Sequence, residues 1–209
     1  MKSRQLLFLV PVLFALVACD EMVPDDGLTD LTGDPFNLNS NINVVAITGN
    51  PGMSPKGPFT LGMTISSKSS NVETDVLPAG LLLKRRKKDT QHMLLLKAHT
   101  ITTGTSTKTE LLGSFCCNKN RPSPDAGDTF DLGPVTDNPG LKQIVSLVQD
   151  KDISDGAAMW LVQRAVYLVT DSTGLTQAYI DSLEALPEET KQARRCYAVV
   201  NSPGRACFR

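Results

Sequence analysis

Between residues 42 and 117 the chain repeats one device. Short β-prone runs, INVVAIT, FTLGMTI, AGLLLK, QHMLLLKAH and TKTELLGSFCC, are each cut off by clusters of Gly, Pro, Asn or Ser. Their spacing is that of antiparallel strands joined by turns, which leads to a β-sandwich or a partial barrel. The character changes at Asp137-Asn138-Pro139, where a capping residue precedes a proline suited to the first helical turn, and LKQIVSLVQD runs on with helical spacing. Two more helices are predicted. One covers about 154–170; the other covers about 175–186, capped by Ser172 or Thr173 and stopped by Pro187. The expected fold class is α+β: an antiparallel β-sandwich or partial barrel over 42–135, then a small helical lobe with a C-terminal tail over 136–209.

The N-terminus carries an address. Lys2 and Arg4 precede an apolar run from Leu6 to Val17 that is too short to span a bilayer, the pattern of an export signal over residues 1–18. Leu16-Val17-Ala18-Cys19 resembles the bacterial lipobox, which makes Cys19 the expected lipidated first residue of the mature chain and acyl chains its hold on a membrane of the cell envelope. Asp20 resembles an inner-membrane retention signal of enteric bacteria, and the choice between inner and outer membrane stays open. Residues 19–41, rich in Asp, Asn, Gly and Pro without periodicity, read as a flexible acidic tether. Within it, Asp25, Asp26, Asp30 and Asp34 do not follow the ligand spacing of a calcium loop.

Composition narrows the partners. Of 21 basic side chains, removal of Lys2 and Arg4 leaves 19 against 22 acidic ones, a net charge of −3 that gives nucleic acid no electrostatic footprint. The basic run Lys84-Arg85-Arg86-Lys87-Lys88 reads as a hydrated hairpin tip. The two histidines, His92 and His99, fit no Cys/His zinc spacing, and no G-x-S-x-G turn supports a hydrolytic nucleophile. Neither a cofactor nor enzymatic turnover is indicated.

Four cysteines remain after Cys19. Cys196 and Cys207 flank a Pro203-Gly204 turn that could bring them into a disulfide, or each could pair with one of the vicinal Cys116 and Cys117. Neighbouring side chains on a strand point to opposite faces, so the vicinal pair cannot share one partner surface while the strand lasts. One of them needs another explanation.

The middle helix offers it. Around Gln163 the sequence is apolar on nearly every side, so the helix is expected to be mostly buried and the Gln163 amide must find partners or cost about 1–3 kcal/mol of desolvation. Phe115-Cys116-Cys117-Asn118 and Gln163-Arg164-Ala165-Val166-Tyr167 together resemble the two signature blocks of bacterial thioester domains of surface adhesins, over about residues 107–186. That resemblance implies that Cys116 is the thioester cysteine, that Cys117 fills the hydrophobic position, and that Gln163 is the acyl donor. Trp160 and Tyr167 would wall the bond from water, and the partner would be a surface protein or other amine-bearing molecule captured covalently. Where the family usually has Thr before the glutamine and Trp at the aromatic position, this chain has Val162 and Tyr167. Strand alternation adds a condition: if the helical lobe packs on the Phe115 face, Cys117 becomes the alternative nucleophile. Beside covalent capture stands a noncovalent interaction lipoprotein of the envelope, stapled by disulfides.

Overall fold

The computed structural model describes residues 32–50, 54, 56–87, 89–171 and 173–190. The signal segment, Cys19, the tether up to residue 31, Cys196 and Cys207 lie outside the described residues. Nine strands precede three helices in the described chain: β1 (Gly33–Asp34), β2 (Ile42–Asn50), β3 (Phe59–Ser67), β4 (Glu73–Leu77), β5 (Leu81–Arg85), β6 (Met93–Leu94), β7 (His99–Thr103), β8 (Lys108–Cys116), β9 (Phe130–Thr136), then α1 (Pro139–Val148), α2 (Gly156–Thr170) and α3 (Gln177–Glu184). The class is α+β, as the sequence leads one to expect, and of the two β architectures it is the partial barrel.

One sheet runs in the order β1-β9-β5-β6-β8-β3-β2, with antiparallel pairing throughout. It curls until β2 reaches the chain entering β9, where Thr48 bridges Thr129 and the Gly49 N–H donates to Asp128 O at 3.0 Å. Glycine is required at that seam, because a Cβ on Gly49 would lie 1.8 Å from the Asp125 carbonyl oxygen. The β4-β7 ribbon forms a second small sheet and lays Leu77 and Ile101 into the barrel interior.

Two cores share the sheet. The barrel interior gathers side chains such as Leu61, Met63, Leu83, Met93, Leu112 and Cys116. The outer face gathers Leu82, Leu94, Phe115 and Cys117 against Ile144 of α1, Val166 of α2 and Leu183, which brings in α3. Runs such as LLL in β5, MLLL from β6 into the residues after it, and FCC at the end of β8 and just beyond are apolar without alternation because the sheet there is covered on both faces.

Two expectations need correction. Residues 32–41 are not part of a free tether: β1 pairs with Thr136 and Val135 of β9, and Phe36 and Leu38 pack against the barrel core. Burying those two side chains offsets the entropy of ordering that a wholly polar segment could not recover. The third helix begins at Gln177 with Thr176 at its N-cap and no capping side-chain bond, three residues beyond Thr173, whose N–H instead joins that of Gly174 in closing the end of α2 on Leu168 O. Helix α2 is mostly buried, as expected, with one outward stripe: Ala157, Trp160 and Arg164 are exposed at helical spacing, Trp160 to 53%, because the helix lies across the surface of the sheet.

Candidate functional site

The ladder between β3 and β8 ends at the pair Phe59 and Ser114. Three residues further on, Cys117 turns its N–H towards His92 O at 3.0 Å, so the N–H and C=O of Cys116 face the opposite side, where β3 has already finished. Gln163 fills the vacancy. Its Oε1 accepts from the Cys116 N–H at 2.9 Å and its Nε2 donates to the Cys116 carbonyl at 2.8 Å. A carboxamide carries the same donor and acceptor as a peptide unit, so the α2 side chain serves as one more residue of β3. Gln163 and Cys116 are both fully buried, and the paired bonds remove the desolvation cost that either group would otherwise carry.

The vicinal cysteines go different ways. Both are free and buried. Cys117 enters the core beneath the helices together with Phe115, and burial there pushes its thiol up to about 12. Cys116 enters the barrel interior, where burial above all, and then the neighbouring Cys117, raises its thiol well beyond the ordinary range. The Tyr167 and Ser123 hydroxyls act in the opposite direction on Cys116 without cancelling that rise. Thus the helical lobe does pack on the Phe115 face, but the glutamine that it presents meets Cys116.

Tyr167 is half-buried and packs against the barrel core that holds Cys116. Burial raises its hydroxyl above the usual phenol value, with Cys116 and Cys117 adding to the rise and Gln91 tempering it. Trp160, by contrast, stands at the lip of the site and meets Phe59, the first residue of β3, edge to face at 6.2 Å between ring centroids. Of the two aromatic walls that the resemblance implies, one is therefore largely open to solvent.

Gln91 and Ser123 belong to this site without any mark in the sequence. Gln91 is 1% exposed. Its Oε1 accepts from the Asn118 N–H at 3.0 Å, and its Nε2 donates to the carbonyls of Arg121 at 3.2 Å and Pro122 at 3.1 Å. The turn that follows the vicinal cysteines is thereby fixed from the β5-β6 loop. Isolated polar residues in loops show no periodicity, and only the closed fold brings them to the thiol.

The remaining titratable groups play structural parts. The His92 Nδ1 accepts from the Arg85 N–H at 3.1 Å. His99 is buried with neither ring nitrogen hydrogen-bonded, its Nε2 3.9 Å from the Glu110 carboxylate, which Lys108 meets at 2.6 Å. In the basic run, Arg86 pairs with Asp131 and Lys87 with Asp128. Among the described residues no group of three or more His, Cys, Asp or Glu is placed to hold a metal ion. No protein-family model, curated protein or solved structure matches this chain, so the site stands on its own geometry.

Proposed function

We propose that the chain is a lipid-anchored binding module of the bacterial cell envelope whose Cys116 and Gln163 join in an internal thioester that captures a partner's amine. The observation that carries this reading is the seating of the buried Gln163 carboxamide on Cys116, with both of its polar atoms within 2.9 Å of that residue's main chain. In the reaction the Cys116 sulfur attacks Cδ of Gln163. A C–S bond forms, the C–N bond breaks, and the amide nitrogen leaves as ammonia with the thiol proton. Charge developing on Oε1 meets the Cys116 N–H, a donor already in place. Fixed proximity supplies the effective molarity that an unactivated amide requires. A primary amine then takes the acyl group, leaving Gln163 as a substituted amide and Cys116 as a thiol; each molecule acts once.

The test is the intact mass of the mature chain. A thioester lowers it by one ammonia relative to the sequence, and methylamine converts that species into the methylamide. Cys116→Ala and Gln163→Leu should each abolish the ammonia loss, whereas Cys117→Ala should preserve it. An unreacted mass in freshly prepared protein would sink the reading.

A second reading has its own support. Both polar atoms of the Gln163 amide are already bonded and burial holds the Cys116 thiol neutral, which suits a permanent clamp in a noncovalent interaction lipoprotein. Under that reading the mass is unchanged and insensitive to methylamine. Either reading places Cys19 as the lipid anchor, and Cys19→Ser should release the protein from the membrane fraction.

A further inference from the structure

Cys116 and Gln163 are both fully buried, so an amine reaches Cδ of Gln163 only after a covering side chain gives way. Helix geometry shows which one can. Around α2, Tyr167 lies within about 20° of Trp160 and Gln163 about 60° to one side of it, while Arg164 and Ala157 lie about 40° and 60° to the other. Trp160 therefore stands on the border between the stripe that faces the site and the stripe that faces water. Phe59 is the last rung of the β3-β8 ladder, paired with Ser114, and Gln163 is seated two residues further along β8, on Cys116. The edge-to-face contact of Trp160 with Phe59 and the seat of Gln163 on Cys116 are thus successive contacts of α2 with the end of one ladder. Tyr167 is packed against the barrel core, whereas Trp160 is 53% exposed and belongs to neither core cluster. Swinging its indole outward breaks the contact with Phe59 and opens no core.

We propose that Trp160 and Phe59 are the gate of the Cys116–Gln163 bond and select its substrate, a primary amine carried on an unbranched arm such as a lysine side chain; this role rests on the thioester reading. The reacting carbon lies beneath side chains at the end of a strand, so the partner's main chain stays outside and a slender arm must pass between the two rings. An amine on a branched carbon, as at a chain terminus, needs a wider opening. The nitrogen attacks Cδ as the free base; the C–N bond forms, the C–S bond breaks, and one amine hydrogen ends on the Cys116 sulfur. With the gate closed, the same rings keep water from the bond.

The experiment follows the intact mass of the purified mature chain over time with n-butylamine, which models the lysine arm, and with isopropylamine, which carries its nitrogen on a branched carbon. Thermal unfolding checks folding. Trp160→Ala is expected to raise the capture rate with isopropylamine by about 10-fold and with n-butylamine by less, and to speed hydrolysis of the thioester to the acid. Phe59→Leu, which takes away the other ring, should act in the same direction, and it decides the matter if Trp160→Ala does not fold. Trp160→Phe, which keeps an aromatic edge against Phe59, should stay near the wild-type rates. Unchanged rates in the folded variants overturn the gate, as does an equal gain with both amines, while the ammonia loss of the wild-type protein keeps the thioester. Wild-type protein with no ammonia loss removes the thioester and the gate together.

Discussion

Gln163 shows what a single side chain can do for a sheet. Its length places a peptide-like group in the position that β3 leaves empty, and an apolar replacement cannot do so. Gln163→Leu should leave the Cys116 N–H and C=O buried without partners and cost about 2–4 kcal/mol, measured by chemical denaturation. A buried glutamine in an apolar helix was legible in the sequence as a group in need of a partner. That the partner is main chain at the end of a strand was not, because it depends on where β3 stops. Two further residues set a pH dependence. Burial, with the Arg85 and Lys84 charges, pushes His92 down from 6.5 to about 4. The unfolded chain then binds a proton before the folded one, so stability is full above 6.5 and falls as pH drops towards 4. For Glu110, burial alone would raise the carboxyl, but His99 and Lys108 outweigh it and hold it at about 2 against an ordinary 4.5. That contribution is present above 4.5 and is lost between 4.5 and 2. Thermal unfolding across pH should show both falls; His92→Gln should flatten the upper one and Glu110→Gln the lower.

At the scale of elements, the chain is read best where local rules act alone. The Asn138 side chain accepts from the N–H groups of Gly140 and Leu141, with Pro139 in the first turn, as the sequence of that junction leads one to expect. Asn138→Ala should cost about 1 kcal/mol in denaturant unfolding. Strands β4 and β9 escape the same kind of reading. β4 (ETDVL) is an exposed acidic ribbon strand that buries one side chain, Leu77, and β9 carries Gly133 and Pro134 in its interior. Those two residues look like a turn but sit at the register shift against β5, where a ladder bond is given up. Lys97 ties separate elements together: its ammonium meets the carbonyls of Gln149 and Lys151 behind α1 and the Glu189 carboxylate beyond α3. Lys97→Met should strand Glu189 in a largely buried position and cost about 3 kcal/mol, less whatever the neighbouring Lys56 recovers, again by denaturant unfolding.

At the scale of the whole molecule, the barrel and the lobe are one cooperative body because β5, β6 and β8 are faced on both sides. Composition and periodicity announced both halves, but not the order in which the strands close or the share of the N-terminal segment that joins them. Phe36 and Leu38 were too sparse among polar neighbours to signal a packed segment. A chain starting at Ile42 loses β1 and those two side chains and should be less stable than one starting at Thr32 by about 2–4 kcal/mol, measured by denaturant unfolding. The bond between lobe and barrel through Gln163 carries one more implication. In the thioester we propose, ammonia departs with the only hydrogens that Gln163 could offer the Cys116 carbonyl, so the armed molecule has a looser seam there. Capture of a primary amine does not restore that bond, because in a trans amide the partner's carbon stands cis to Oε1 where the donating hydrogen was. The discharged protein, tethered to its target, keeps the joint that arming opened, and hydrogen exchange along this seam would tell the untouched amide from the armed and discharged forms.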